Sequence, residues 1–329
     1  MSDPSQQTAG GGDRRFDVLV VGDANPDVIV AGAPASPAFG QAETLVPSAA
    51  LTLGGSGAIM ACACARLGLR TAFFGVVGGD YAGRFMLDRL AERGVAAERS
   101  LVHSTLPTGI TVALVKDDAE RDRGMLTALG CIPTLRSSAV PRDLLWDARH
   151  LHISSFYLQP ELAHGLRELV DEAQDAGLST SLDTNWDPSE QWDGGLRDVL
   201  GGIDLLLVNA EEARALAGVD DLADAAEILA SRGSTAIIKC GAAGGTAHVG
   251  TGMVRVPGLT VEVVDTVGAG DTFNAGYLYG HLHDWTTHDS LALAVACGSL
   301  STRAAGGTAA QPTLDEALAA AGLAAVPPT

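Results

Sequence analysis

The stretch VVDTVGAGDTFNAGYLYG, residues 263–280, decides the fold of this chain. Its first residues are apolar and strand-like, the small residues Gly268, Ala269 and Gly270 follow, and an amphipathic helical pattern begins near Asp271. Small residues let a backbone approach an anion closely, and the N–H groups that begin a helix add donors and a positive dipole end. The stretch therefore predicts a strand, an anion-binding turn and a helix.

The acid at the end of this turn has two interpretations. Asp271 could act as a general base that takes a proton from a hydroxyl attacking a bound phosphoryl group. Alternatively, the turn is only a tight connection and Asp271 is its helix N-cap, a position that Asp favours. No Gly-Lys-Ser/Thr follows the turn and no Gly-x-Gly-x-x-Gly follows the first apolar run, so two common nucleotide-binding motifs are absent.

Outward from this stretch, strand-like and helical patterns alternate. An apolar run at 16–21 is followed by a helical pattern at 58–67 and a second apolar run at 71–77. Further strands are predicted at 151–155, 179–185, 204–209, 235–241 and 261–264, and further helices at 161–176, 210–216 and 290–303. Such alternation predicts a mostly parallel sheet wrapped by helices. Residues 43–53 and 109–115 are strand-like without neighbouring helices, which predicts a small separate sheet.

Composition narrows the classes of partner. The net charge of −19 and the pI near 4.6 disfavour binding to nucleic acid and to anionic membranes, so a phosphate ligand must be held by local structure. Five cysteines without a Cys-x-x-Cys pair favour a reducing compartment, and we expect a cytoplasmic protein. No apolar stretch approaches the roughly 18 residues of a membrane span. Residues 1–15 are predicted to be a flexible tail and 16–329 one domain.

With these segments, the chain resembles the ribokinase-like (PfkB) carbohydrate kinases, whose C-terminal signature Asp-Thr-x-Gly-Ala-Gly-Asp and Thr-Phe-x-Ala-Gly stands here at 265–276. Further matches follow in the family's order: GDANPD at 22–27, LGGSGA at 53–58, GVVGGDYAG at 75–83, PTG at 107–109, NAEE at 209–212 and KCGAAG at 239–244. The resemblance implies a three-layer α/β fold with a β-sheet lid, near 31–53 and 104–128. It also implies transfer of the γ-phosphate of ATP to a hydroxyl of a small neutral sugar.

The resemblance assigns roles on the nucleotide side. It implies that Asp271 is the base and that Gly268, Ala269 and Gly270 form the anion hole. Asp265 matches a carboxylate that helps to hold a monovalent cation, often potassium. The remaining matches are the Asn-x-x-Glu motif linked to magnesium through water, Asn209 and Glu212, and the loop along ATP, Lys239, Gly241 and Gly244. From the residues alone, Glu212 could be a solvated helix residue and Lys239 a surface lysine.

On the substrate side, the resemblance implies that Asn25 and Asp27 bind sugar hydroxyls beside the glycine pair Gly54 and Gly55. Asn185 is a further candidate for substrate binding. A carboxylate and an amide can bind adjacent hydroxyls and leave a wrong analogue unpaired. The sequence Asn-Pro-Asp is also good turn chemistry, so a purely structural role for Asn25 stays open.

Two departures bear on the substrate. Many sugar-kinase relatives have Asn where this chain has Ile59, and several ketose and keto-acid kinases have Arg where this chain has Asp187. These changes argue against a phosphorylated sugar or a sugar acid. They leave room for a nucleoside, whose base could rest on Ile59 or Trp186, although Trp186 could equally be a half-buried core residue.

Two further expectations concern assembly and activity. The lid resembles one that can pair between subunits, so a homodimer is expected. A catalytically idle binding or regulatory member of the family would be indicated by an eroded Asp271 or anion hole, and neither is eroded here.

Overall fold

The computed structural model describes residues 14–34, 39–40, 42–116, 123–250 and 252–324, with the side chain of residue 123 excluded. The predicted tail therefore lies almost wholly outside the described residues. The strands of the described ranges are β1 Phe16–Val21, β2 Asn25–Ala31, β3 Ser48–Gly54, β4 Thr71–Phe74, β5 Val76–Gly78, β6 Leu101–His103, β7 Ile110–Val115, β8 Arg123–Ala128, β9 Ala148–Ile153, β10 Ser179–Leu182, β11 Leu205–Asn209, β12 Thr235–Lys239, β13 Gly245–Val249 and β14 Gly252–Val256.

The helices lie mainly between the strands of the larger sheet. They are α1 Ser56–Arg66, α2 Tyr81–Glu92, α3 Arg142–Trp146, α4 Pro160–Ala163, α5 Leu166–Asp175, α6 Leu196–Leu200, α7 Ala210–Ala217, α8 Leu222–Ala230, α9 Ala269–Leu282, α10 Thr287–Ser301 and α11 Leu314–Ala321. Within the described ranges, none of them combines the length and the apolar character needed to cross a membrane.

The central sheet has eight strands in the order β14-β13-β12-β11-β10-β9-β1-β4. The strands from β12 to β4 are parallel, and β13 and β14 are antiparallel additions at one edge. A parallel sheet needs cover on both faces, and β1 is accordingly buried along its whole length between two hydrophobic clusters. The predicted mostly parallel sheet wrapped by helices is confirmed.

A separate four-stranded sheet has the order β3-β2-β7-β8, which confirms the prediction of a second, smaller sheet. It includes Asn25–Ala31, where the sequence also allowed a turn. These residues form strand β2, because both sides pair: Asn25 lies opposite Gly54 in β3, and Asp27 lies opposite Thr111 in β7. We call these four strands the small sheet.

Three element predictions were wrong in detail. The helix predicted at 161–176 is divided into α4 and α5 at Gly165, where a Cβ would collide with the Ser137 hydroxyl. The run 71–77 is divided into β4 and β5 at Gly75, which packs against the Gly22 carbonyl. Residues 261–264 form no strand and pair with none of the described strands. The amides of Val264 and Asp265 instead donate to the Thr302 carbonyl.

Candidate active site

A cavity of about 790 Å³ lies at the carboxyl ends of the parallel strands, between the central sheet and the small sheet. Ligands of open α/β sheets bind at this edge. Strands β10, β11 and β12 bring Asp183, Asn209 and Lys239 to its wall, and the first turn of α9 brings Asp271. Chain connectivity thus gathers residues that are far apart in the sequence.

Most of the candidate site residues line this cavity. They are Asn25, Asp27, Gly55, Ile59, Asn185, Asn209, Glu212, Lys239, Gly241, Gly268, Gly270 and Asp271. Gly244 and Ala269 line an adjoining cavity of about 480 Å³, whereas Gly54 and Asp265 belong to neither lining. The two cavities meet at Lys239, Gly241, Thr266 and Gly270, which line both.

The glycine-rich turn ends in a helix start, but Asp271 is not its cap. Helix α9 begins at Ala269, its N-cap is Gly268 with a φ of 71°, and Asp271 is the third helical residue. The N-cap interpretation of Asp271 was therefore wrong. Its carboxylate accepts a hydrogen bond from the Ser56 hydroxyl. Burial and the nearby charge of Asp183 raise the pKa of Asp271 to about 7, against the opposing effects of Ser56 and Lys239.

Lys239 forms a buried ion pair. Its ammonium group lies 2.7 Å from Oδ2 of Asp183, and the Asn274 amide donates to the same oxygen. Burial opposes ionisation of Asp183, but the charge and hydrogen bond of Lys239 outweigh it and hold the pKa of Asp183 below its usual value. The interpretation of Lys239 as a surface lysine was therefore wrong. Asp183 and Asn274 were missed as site residues, although a carboxylate near the end of the apolar strand predicted at 179–185 is a signal that pointed to Asp183.

Asn209 and Glu212 form a reciprocal cap at the start of α7. The Asn209 side chain accepts from the Glu212 amide at 2.8 Å, and the Glu212 carboxylate accepts from the Asn209 amide at 2.8 Å. Glu212 is buried, so the solvated-residue interpretation was wrong. Burial is the main cause that raises the pKa of Glu212 to about 7, with Lys239 opposing and Asp183 adding to the shift.

At the opposite end of the cavity, a polar group lies on the inner face of the small sheet. The Asn25 amide donates to Asp27 at 3.2 Å and to the Thr111 hydroxyl at 3.1 Å, which is 3.1 Å from the Thr127 hydroxyl. Gly54 lies behind this group, and a Cβ there would collide with the Asp27 carboxylate. The glycine therefore makes room for the carboxylate rather than lining the cavity.

The buried carboxylate of Asp23, just after β1, holds the start of helix α1. Asp23, which was missed from the sequence, accepts from the amides of Ser56 at 3.3 Å and Gly57 at 3.0 Å and from the Ser155 hydroxyl at 2.8 Å. Gly55 has a φ of 80°, and a Cβ there would press on the backbone of residues 23–25. These contacts fix the start of α1 against β1.

Of the two residues that differ from the family pattern, Ile59 lines the cavity and Asp187 does not. Ile59 is buried at the cavity wall, where a Cβ on Gly307 would come within 2.5 Å of its side chain. Asp187 does not face the cavity, because its carboxylate accepts from the amides of Ser189 at 2.9 Å and Trp192 at 2.7 Å. Asp187 is therefore not part of the cavity lining, and the expectation that an anionic substrate lacks an arginine partner here is left as it was. Trp186 lines the cavity with 45% of its surface exposed, and its ring packs edge-to-face on Trp192.

Two candidate residues on the nucleotide side have local structural explanations. Asp265 is buried, and its two carboxylate oxygens accept from the amides of Val267 at 2.9 Å and Gly306 at 2.8 Å, which ties the turn to the end of α10. Gly244 has a φ of 95°, and a Cβ there would collide with the Val256 carbonyl. Beside it, the smaller cavity has apolar walls that include Val261, Val263 and Phe273.

Comparisons with known proteins agree with this architecture. Residues 15–314 match the pfkB family carbohydrate kinases. Probable fructokinase-5 of Arabidopsis thaliana is 29% identical over 277 residues, covering 79% of this chain and 85% of that protein. The ATP-dependent ribose-1-phosphate kinase of Halopiger xanaduensis is 31% identical over 264 residues, covering 80% and 84%. The structure of Arabidopsis thaliana ribokinase complexed with ribose and ATP superposes with a TM-score of 0.80 at 22% identity, covering 94% and 99%.

Proposed function

Because the chain belongs to the PfkB family of carbohydrate kinases, we propose that it transfers the γ-phosphate of ATP to a hydroxyl of a small neutral sugar, with Asp271 as general base. The observation that carries this proposal is the junction of two cavities at a glycine-rich helix start. Gly270 lines both cavities, and Asp271 follows it on the side of the larger one. A donor in the smaller cavity and an acceptor in the larger one would meet beside the carboxylate.

The junction suits phosphoryl transfer. The amides of Gly270 and Asp271 lie in the first turn of α9, where N–H groups have no intrahelical acceptor and can stabilise a migrating phosphoryl group. Asp271 has a pKa of about 7, which suits a group that gains and loses a proton near neutral pH. We assign Gly268, Ala269 and Gly270 to the anion hole and Asp271 to the attacking hydroxyl.

The smaller cavity would take the nucleotide. Its apolar walls suit an adenine ring, and Gly244 and Gly241 shape the connection to the larger cavity. Lys239 lies at that connection, and Asn209 and Glu212 lie beyond it in the larger cavity, where the phosphates would extend. Oxygen donors suit magnesium, and the use of Asn209 and Glu212 in their mutual cap favours binding through water. The ion would neutralise phosphate charge.

The larger cavity favours a neutral acceptor. Among its described lining residues, Lys239 is the one cationic side chain, and Asp183 already neutralises it. Four other carboxyl groups, Asp23, Asp27, Glu212 and Asp271, line the same space, and their ionised forms would repel a phosphorylated sugar or a sugar acid. Asn25, Asp27 and Asn185 offer hydrogen-bonding groups for hydroxyls.

A nucleoside is the second candidate substrate. Trp186 and Met125 expose 45% and 48% of their surfaces, and both line the larger cavity. A planar base could stack on an exposed indole ring while the ribose reaches Asn25 and Asp27. The cavity of about 790 Å³ falls within the range of pockets that hold ligands larger than a single sugar ring.

Two expectations remain part of the proposal. The contacts of Asp265 explain its burial without a cation, so potassium dependence rests on the resemblance and is tested by assay in potassium against tetramethylammonium salts.

A homodimer is supported by Leu51 and Leu126, exposed by 54% and 63% on edge strands β3 and β8 of the small sheet. Light scattering coupled to gel filtration measures this state.

A substrate panel tests the function. Neutral hexoses and pentoses, nucleosides, sugar phosphates and sugar acids are each incubated with ATP and magnesium, and ADP release is measured. Turnover of a neutral sugar supports the proposal, and preference for a nucleoside supports the second candidate. Turnover confined to anionic sugars would contradict the charge argument, and silence throughout would indicate a catalytically idle binding protein.

A further inference from the structure

The hydroxyl of Ser56 donates a hydrogen bond to Oδ1 of Asp271, although the two residues are 215 positions apart in the sequence. Ser56 is the first residue of α1, and it lines the larger cavity beside Asp271. This contact joins the start of α1 to the start of α9. Helices α1 and α9 also pack against each other, so the contact lies within a rigid interface.

The backbone of Ser56 is held in place from the other side. Its amide and that of Gly57 both donate to the buried carboxylate of Asp23, which also accepts from Ser155. Gly55 adopts a φ of 80° immediately before Ser56. A short side chain on a fixed backbone has few rotamers, so the hydroxyl reaches Asp271 at little cost in conformational entropy.

We propose that Ser56 is a positioning residue for the general base: its hydroxyl occupies Oδ1 of Asp271 and leaves Oδ2 to receive the substrate proton. The inference rests on the proposed function. In the transfer step, the bond between the acceptor oxygen and the γ-phosphorus forms while that to the ADP oxygen breaks. The bonding pair leaves with ADP, and the acceptor proton moves to Oδ2. Ser56 keeps its own proton throughout.

The same hydrogen bond favours the charged form of the base. A donor to a carboxylate stabilises the ionised state, and Ser56 accordingly opposes the rise in the pKa of Asp271. Without the hydroxyl, the base becomes harder to ionise and its carboxylate freer to rotate. A hydrogen bond to a charged group corresponds to a pKa change of about one unit or more.

Three variants test the role. We expect Ser56→Ala to move the acidic limb of the kcat/KM profile upward by about one pH unit. At its optimum pH we expect kcat to fall about tenfold, with the KM for ATP unchanged. Ser56→Thr, which keeps the hydroxyl, should restore most of the wild-type pH profile and most of the wild-type kcat. Ser290→Ala removes a buried hydroxyl of α10, which packs against Gly280 at the end of α9 away from Asp271, and should leave the profile unchanged.

A measurement without turnover separates this inference from the proposed function. The carboxyl carbon of Asp271 is assigned in ¹³C-aspartate spectra by its loss in Asp271→Asn, and its titration is followed in the full chain with and without Ser56. An upward shift in Ser56→Ala that Ser56→Thr reverses supports the contact. An unchanged titration and profile in folded Ser56→Ala would overturn it. Failure of the wild type on every substrate of the panel would instead overturn the proposed function.

Discussion

The ammonium group of Lys239 lies 2.7 Å from the carboxylate of Asp183 at the wall of the larger cavity, where 13% of the Lys239 side chain and 5% of the Asp183 side chain are exposed. Desolvation of each charge is offset by the other, and Asn274 adds a further donor to Asp183. The pair thereby places one positive charge where the two cavities meet without adding net charge to the site.

Breaking this pair should destabilise the protein. Asp183→Asn removes the closest partner of the Lys239 ammonium group and leaves it the more distant Glu212 and Asp271, so we expect the free energy of unfolding to fall by about 3–5 kcal/mol in urea titrations. Adding Lys239→Met to Asp183→Asn should recover much of that loss, because the ammonium group that lost its closest partner is then absent. The exposed pair of Arg167 and Asp171 is the control, and Asp171→Asn should cost less than about 1 kcal/mol. Equal losses at both pairs would contradict the buried-pair argument.

Asp271→Asn should be both inactive and more stable. Loss of the base should lower kcat by about a hundredfold to ten-thousandfold, with ATP binding retained. The raised pKa of Asp271 means that the folded chain binds more protons than the unfolded chain between pH 4 and 7, so this group's contribution to stability falls as pH rises. Removing the ionisable group should therefore gain about 4 kcal/mol at pH 8, since the pKa is raised by about three units at about 1.4 kcal/mol each, and almost nothing at pH 4, as measured by urea unfolding at both values.

Two buried histidines of strand β9, His150 and His152, should make the folded protein less stable in acid. The Ser181 hydroxyl lies 2.6 Å from His150 and 2.7 Å from His152, and burial lowers the pKa of His152 to about 4. Unfolded histidine titrates near 6.5, so the stability that this neutral ring contributes is present above that pH and is lost as pH falls towards 4. The loss is about 1.4 kcal/mol per pH unit.

An exposed histidine serves as the control for the buried His152. We expect His152→Asn to flatten the dependence of unfolding free energy on pH between 6.5 and 4. His164→Asn, which alters an exposed histidine beside α4, should leave that dependence unchanged. Equal slopes for wild type and His152→Asn would show that the buried ring does not resist protonation.

The sequence predicted features that lie within one short segment better than contacts between distant segments. The glycine-rich turn and the capping pair Asn209 and Glu212 lie within short segments, so pattern and resemblance located them. Ser56 and Asn274 were missed because their partners come from distant segments, and a hydrogen bond across 215 positions leaves no local signal. Residues 261–264 have strand-like composition but lack a neighbour with which to pair. A motif position likewise does not give side-chain direction, as Asp187 shows.

Gly54 offers a test of whether the polar group around Asn25 and Asp27 on the small sheet binds the sugar. A Cβ there would collide with the Asp27 carboxylate and displace it from Asn25. Overpacking of this kind costs about 1–3 kcal/mol, so we expect Gly54→Ala to raise the KM for the sugar about tenfold to a hundredfold while the KM for ATP is unchanged. Gly124→Ala is the matched control in the same small sheet, since no atom lies within 4 Å of its added Cβ. Equal increases in the KM for the sugar and the KM for ATP would show that Gly54→Ala does not act specifically on sugar binding.

Trp186 distinguishes the two candidate substrates. Its exposed ring can stack on a planar base, whereas a free sugar has no aromatic ring to stack, so the two substrates should respond differently to its removal. If nucleosides are substrates, Trp186→Ala should lower their kcat/KM by about tenfold and change that of free sugars less than twofold, because an aromatic contact contributes about 0.5–1.5 kcal/mol beyond its buried area. Trp146→Ala, an exposed indole on α3 outside the cavity lining, is the control. A uniform loss for nucleosides and sugars would show that Trp186 supports the loop around Trp192 rather than contacting a base.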